Sequence, residues 1–375
     1  MRIGCPKEIK THEYRVGLTP ESTAELVRHG HSVQIETGAG AGIGAEDMAY
    51  EDAGATIAPD AQTVFAEAEM IVKVKEPQAA ERAMLRSGQI LYTYLHLAAD
   101  PDQTRELVES GASCVAYETV TGPGGGLPLL KPMSQVAGRM AVQAGATALE
   151  KVHGGRGVLL GGVPGVAPGR VVIVGGGVVG FNAAQMAVGL GAEVTVLDRS
   201  AEVLERIDHH YNGRIRTLYS TGTVLAEAVA AADLVIGAVL IPGAAAPKLV
   251  TREMLRSMAP GSVVVDVAID QGGCFATSRP TTHDQPTFTE EGIVHYCVAN
   301  MPGGVARTST YALNNATLPH ALALADHGLP VALTRDPHLR AGLNVHAGQV
   351  TYRAVAEDLG YAYVPPEEAL KSKAA

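Results

Sequence analysis

Residues 171–180 read VVIVGGGVVG, and no other ten residues restrict the folds open to this chain as much. A four-residue apolar run leads straight into Gly175, Gly177 and Gly180, which fill the pattern G-x-G-x-x-G, and residues 181–189 continue as a helix. The order has a physical logic. The first glycine turns tightly, the second lets a pyrophosphate approach the backbone, and the third lets helix and strand pack closely. The pyrophosphate then rests on the helix N-terminus, where amides and dipole both favour negative charge. Such a pattern alone is a weak sign in a chain with 43 glycines. Here the next strand, AEVTVLD, ends in Asp198, twenty-three positions past Gly175. An acid there accepts hydrogen bonds from ribose hydroxyls and repels a 2′-phosphate, which predicts NAD over NADP. The adjacent Arg199 softens that preference.

Up to about residue 130, short β-rich runs alternate with amphipathic helical patterns. Strands are expected at 3–4, 32–36, 70–73, 89–92 and 113–116, and helices at 20–29, 45–53 and 101–110. Pro20 and Pro101 each suit the first turn of a helix, where no amide donor is needed. Alternation of this kind argues for a parallel sheet with crossover helices. The run GPGGGLPLLKP at 122–132 breaks the pattern, and an Ala-rich helix follows, opened by Ser134 as its cap and reaching about residue 152. Six more strands, at 171–174, 193–197, 214–219, 234–237, 262–266 and 293–298, make the two halves of a doubly wound dinucleotide domain. A helix at 309–325 cannot extend that sheet and is expected to cross back to the first domain. The expected class is therefore α/β with two doubly wound domains. A Rossmann dinucleotide domain, 131–305, is inserted into a discontinuous Rossmann-like substrate domain made of 1–130 and 306–375.

Composition removes several function classes. The chain has 375 residues, more than one ordinary domain, and a formal net charge of −10 with no basic cluster to offset it. Aromatic residues are 4% of the chain and Trp is absent, so nucleic acid is a poor partner. Cys5, Cys114, Cys274 and Cys297 stand far apart and read as reduced, mostly buried thiols. Residues 171–190 carry no charge, but five of them are glycine, which suits strand, loop and helix better than a membrane span. MRIGCPKE has no apolar signal core, so the expected setting is the cytoplasm.

A dinucleotide fold names no substrate. Three polar residues in the first domain stand at telling places: Arg15 in YRVGLTP, between a strand and a helix; Lys75 in KVKEP, at a strand end; and His96 closing LYTYLH. Sites in open α/β sheets gather at the carboxyl ends of strands. Each residue also has a plainer reading: Arg15 an exposed helix neighbour, Lys75 a solvated loop cation, His96 a satisfied core histidine.

The surrounding strings shift the balance toward the functional readings. PKEIKTHEYRVGLTP, VKVKEP, LHLAA, AYETV, HGGRGVLLGGVPGV, VDVAIDQGGCF and VANMPGGVARTSTYALNNATLP resemble the alanine dehydrogenase family along essentially the whole chain. The nucleotide-binding subunit of proton-translocating transhydrogenases shares the likeness more weakly. No long insertion follows the second cofactor strand, so the dehydrogenase fits better. The resemblance implies NAD-dependent, reversible oxidative deamination of L-alanine to pyruvate and ammonia, by a homohexamer. It implies that Arg15 pairs with the substrate carboxylate and that Lys75 holds a carboxylate or carbonyl oxygen. His96 would be the acid/base, Asp270 a second acid/base or the group that orients water, and Tyr94 and Met133 the walls of a methyl-sized pocket. Ser134, Val178, Ser220, Val239, Val267, Asp270, Arg279, Asn300 and Met301 fall at the family's cofactor contacts.

Two positions depart from the family pattern. Val203 stands where a lysine often helps with the adenosine ribose, and Ala323 replaces a carboxylate that some members use near His327 for a divalent ion, so no metal is expected. The chemistry fits the residue set. Amino-acid oxidation needs a cation for the carboxylate, a base for the amine proton, and acid/base help with water and ammonia. Three competing readings remain: a transhydrogenase-like subunit that oxidises no free amino acid, an NAD-binding module without turnover, and a dehydrogenase of a larger amino acid such as saccharopine or lysine.

Overall fold

The run VVIV has no polar alternation because both faces of its strand are covered. Val171 and Ile173 join one core with Val194, Val196, Leu234, Ile236, Val263 and Val265. Val172 and Val174 join another, on the opposite face, with Leu197, Val235 and Val264. Successive side chains of a strand point to opposite sides, so one apolar run supplies two cores.

This is a computed structural model that describes residues 1–239 and 246–371. The chain divides into two units, Met1–Met133 with Gly303–Ala375, and Ser134–Pro302. In the first, β1 (Arg2–Cys5), β2 (Ser32–Glu36), β3 (Thr56–Ala58), β4 (Met70–Val72), β5 (Ile90–Thr93) and β6 (Ser113–Ala116) are parallel, in the order β3-β2-β1-β4-β5-β6. Leu343–His346 adds antiparallel to β6, and Gln349–Val350 pairs antiparallel with it.

The second unit holds β7 (Arg170–Val174), β8 (Glu193–Asp198), β9 (Arg216–Tyr219), β10 (Leu234–Gly237), β11 (Val263–Asp266), β12 (Thr287–Glu290) and β13 (Ile293–Tyr296). Six are parallel in the order β9-β8-β7-β10-β11-β13, and β12 lies antiparallel at the edge. Numbered within its own unit, each parallel set reads 3-2-1-4-5-6, the doubly wound dinucleotide order. Both units are therefore doubly wound, and the second is inserted into the first.

Helix starts follow local chemistry. Thr19 and Asp100 cap the helices Pro20–Arg28 and Pro101–Ser110, accepting from Ser22 N and Gln103 N, and each helix has proline in its first turn. The expectation for Ser134 fails. The helix runs Lys131–Ala148, so Ser134 lies inside it. Pro132, read above as part of the break, sits in the first turn, where proline is at ease. The return helix is Ala306–His327, longer than expected at both ends. Among the described residues no helix is long and apolar enough to cross a membrane.

Gly17 shows how closely the loop after β1 packs on β4. A Cβ at that position would lie 2.4 Å from the Val72 carbonyl oxygen. Gly17→Ala should therefore destabilise the first unit by about 1–3 kcal/mol, the range for overpacking. Urea denaturation would measure it, and an unchanged midpoint would show that the loop gives way freely.

Candidate functional site

The glycine loop meets the demands of its motif. Gly175 has φ +101°, open to glycine and strained for other residues. A Cβ on Gly180 would lie 1.8 Å from the Gly175 carbonyl oxygen, so only glycine lets the helix Val178–Gly189 sit so near the loop. At Gly177 a Cβ would meet nothing within 4 Å. Gly177 is also the helix N-cap, with no side-chain cap, so the first-turn amides are not taken by a capping side chain.

Asp198 ends β8 and organises this loop. Its Oδ2 accepts from Gly176 N at 2.7 Å and its Oδ1 from Ser200 N at 2.8 Å. Each carboxylate oxygen has a second lone pair for a further donor. Arg206 Nη2 donates to the Gly176 carbonyl at 3.0 Å. Val203 has a packing role: a Cβ on Gly176 would meet its Cγ1 at 2.6 Å.

The other cofactor candidates of this unit sit mostly at strand ends. Ser220 N donates to the Asp198 carbonyl just past β9, Val239 follows β10, and Val267 N donates to the Gly237 carbonyl. Ser134 and Val178 lie on helices. The Arg279 guanidinium stacks over Phe288, 4.1 Å from the ring centre. Asn300 has φ +61°, with His283 Nε2 3.2 Å from its carbonyl oxygen, and Met301 packs into the core.

Asp270 is exposed in the turn Ile269–Gln271, just past β11. That loop is tied down by Asp266, a buried carboxylate that sequence reasoning missed. Asp266 accepts from Ala268 N (3.1 Å), Cys274 N (2.9 Å), Phe275 N (3.3 Å) and Ser278 Oγ (2.5 Å). Burial raises its carboxyl pKa, and these donors pull it back.

In the first unit the substrate candidates come from the carboxyl ends of β1, β4 and β5. The strand order reverses between β1 and β4, where doubly wound folds place their ligands. Arg15, after β1, is not the exposed helix neighbour of the plain reading: its side chain is 2% exposed. Nε and Nη2 form a fork on Glu13, at 2.7 and 2.5 Å, and Nη1 lies 3.1 Å from Met133 Sδ. Tyr94 is buried, donates to the Leu129 carbonyl at 2.6 Å and packs edge-on against Tyr117. Burial pushes its phenol above the usual range, while Arg15 nearby pulls it down.

His96 stacks on Tyr94, with ring centres 5.9 Å apart and planes 8° apart. Its side chain is 46% exposed, so it is no core histidine. Its φ of +53° puts a non-glycine residue in the left-handed region, strain that persists where surrounding contacts fix it. Glu118 supplies those contacts, accepting from His96 N at 2.6 Å and Leu95 N at 3.1 Å, with its Oε1 4.0 Å from His96 Nδ1. The structure thus gathers Arg15, Tyr94, His96 and Met133.

Lys75 sits at the end of β4, half-buried, its Nζ 3.9 Å from Glu76, which also pairs closely with Lys10. The neighbouring Lys73, unremarked in sequence, is wholly buried between Glu8 (3.0 Å) and Glu81 (2.6 Å). Burial alone would lower its ammonium pKa, yet the two carboxylates hold it above the usual lysine range. Glu8 Oε1 also accepts from Val74 N at 2.7 Å and Lys75 N at 3.3 Å. Glu8 and Glu118 carry no local sequence signal. Their partners are mostly far along the chain or on the main chain.

The doubly wound fold and the glycine loop together define a dinucleotide-binding protein. Comparison with known proteins narrows this. The N-terminal domain of the alanine dehydrogenase/PNT family matches residues 4–137 and its C-terminal domain matches 141–353. The chain belongs to that family. It is 64% identical to an alanine dehydrogenase of Halomonas elongata, over 97% of this chain and 98% of the relative. It is 57% identical to that of Bacillus subtilis, over 100% of this chain and 98% of the relative. A solved L-alanine dehydrogenase superposes with a TM-score of 0.93 at 53% identity, covering 96% of this chain and 99% of the other. A transhydrogenase from Sinorhizobium meliloti is more distant, with a TM-score of 0.81 at 27% identity over 94% of this chain and 100% of the other.

The two lysines of KVKEP should separate cleanly in a stability experiment. Lys73→Met leaves Glu8 and Glu81 buried without their cation, which should cost about 3–5 kcal/mol. Lys75→Met has no such network to break and should cost about 1 kcal/mol or less. Equal losses in urea denaturation would contradict this division of roles.

Proposed function

We propose that the chain catalyses the NAD-dependent, reversible oxidative deamination of L-alanine to pyruvate and ammonia. The observation that carries this reading is the grouping of Arg15, Tyr94, His96 and Met133 in one unit, in a chain whose other unit holds a complete dinucleotide loop. The names of the relatives support it. The domains, numbered 1–130 with 306–375 and 131–305, would serve substrate and cofactor respectively.

The loop residues fit NAD. Gly177 leaves open space, uncapped amides follow it, and Asp198 ends the second strand. Gly175, Gly177 and Gly180 would hold the pyrophosphate and Asp198 the ribose. When bound, NAD supplies the acceptor for the two electrons and the hydrogen that leave Cα.

The protein's residues do the rest. Arg15 would position the substrate carboxylate by hydrogen bonds, and Lys75 would stabilise charge on the carboxylate or carbonyl oxygen. His96 would take the proton of the amine and later that of the adding water. Asp270 would act as a second acid/base or orient that water, so that L-alanine, NAD and water give pyruvate, ammonium, NADH and a proton. Glu118 holds the His96 turn, while Tyr94 and Met133 would wall a pocket for the methyl group. A cytoplasmic homohexamer is the assembly this reading expects, and light scattering that found a monomer would remove that part of it.

NADH absorbance with L-alanine, then with L-serine, glycine and bulkier amino acids, tests the assignment directly. His96→Ala and Asp270→Ala should each lower kcat by about 10²–10⁴, the range of lost acid/base catalysis. NAD binding should survive both, and Arg15→Ala should act mainly on KM. NAD binding without turnover of alanine would favour the transhydrogenase-like reading.

Cofactor choice is a separate test. NAD should be used far better than NADP, and Asp198→Ala should recover about 1–3 kcal/mol of the difference by removing a like charge. Equal kcat/KM for the two cofactors in the unmodified protein would refute the role of Asp198.

A further inference from the structure

The charges around the substrate candidates do not balance as a simple cationic pocket would. Arg15 is locked in a two-point fork with Glu13, and both side chains are buried. A guanidinium held this way still donates hydrogen bonds but adds no net charge. Lys73 is outnumbered by Glu8 and Glu81. Glu118 adds a negative charge beside His96. Among these groups a positive surplus is left in one place, where Lys75 and Lys10 share the single carboxylate of Glu76.

From this pattern we infer that Glu13 is a specificity-determining residue: by neutralising Arg15 it leaves one surplus positive charge, at Lys75, and so tunes the site to a single carboxylate. Arg15 then gives direction and Lys75 gives charge. A second negative charge on the ligand meets Glu13, Glu118 and the Glu8–Glu81 pair with no cation to spare. Dicarboxylic acids are excluded by charge even where they would fit by shape. The inference rests on the proposed alanine dehydrogenase reading and extends it to the electrostatic basis of substrate choice.

Oxamate and oxalate provide the test, because both are planar, pyruvate-sized and nearly isosteric, while oxalate carries a second negative charge at neutral pH. Their inhibition constants would be measured against L-alanine in the unmodified enzyme, in Glu13→Gln and in Glu76→Gln. Oxalate should be the weaker inhibitor of the unmodified enzyme by about tenfold or more, as expected for one added like charge a few ångströms away. Glu13→Gln should close that gap by about tenfold, whatever its effect on kcat. Glu76→Gln removes a negative charge from beside Lys75 without touching the Arg15 fork, so it should shift the ratio the same way, and it decides the matter if Glu13→Gln fails to fold. Equal inhibition of the unmodified enzyme by the two, or an unchanged ratio in a folded variant, would overturn the inference. Turnover of L-alanine is scored separately: its absence removes the proposed function, whereas turnover with an unmoved ratio removes only the role of Glu13.

Discussion

Where the first unit presents Arg15, Lys75 and His96, a glutamate carboxylate grips the main chain. Glu13 accepts from Arg15 N at 3.0 Å, Glu8 from Lys75 N at 3.3 Å and Glu118 from His96 N at 2.6 Å. Loops beyond strand ends have no ladder to take their amides, and a buried amide left alone is costly. A carboxylate is a strong acceptor because its bonds are charge-assisted. Its own burial has to be compensated, and Arg15 and Lys73 do that for Glu13 and Glu8. Loop shape and local charge are therefore set by the same atoms.

The second unit follows the same rule with aspartates. Asp198 takes the amides of Gly176 and Ser200, and Asp266 takes those of Ala268, Cys274 and Phe275. Each stands at the carboxyl end of a parallel strand and fixes the loop that leaves it. A parallel sheet with both faces covered pushes its polar work to the strand ends. These carboxylates are how the ends are kept rigid.

Much of this was legible in the chain. VVIV, the spaced glycines and Asp198 foretold β7, the tight turn and the end of β8, because each needs only local chemistry. Pro20 and Pro101 marked helix starts for the same reason. Ser134 misled because a proline just before it reads equally well as a break or as a first turn. Thr56–Ala58 is only three residues long, and Thr287–Glu290 is a half-covered edge, so neither shows a clear apolar run. Arg15, Lys75 and His96 could be picked out, but not their settings. Nothing in KVKEP says that Lys73 is the buried lysine, since Glu8, one of the two acids beside it, lies 65 positions away. Glu13 lies beside Arg15 in sequence, yet the fork depends on the loop that brings the two together.

The late strand Leu343–His346 pairs with β6, so the first sheet is completed by opposite ends of the chain. The second unit, in contrast, is one uninterrupted segment. During synthesis the ribosome delivers all of that segment before it delivers the strand that finishes the first sheet. The inserted unit has every strand it needs while the first still has an open edge at β6, and an open parallel edge invites pairing with other chains. A nascent polypeptide stalled before residue 343 would thus carry a finished nucleotide-binding half beside an unfinished, aggregation-prone one.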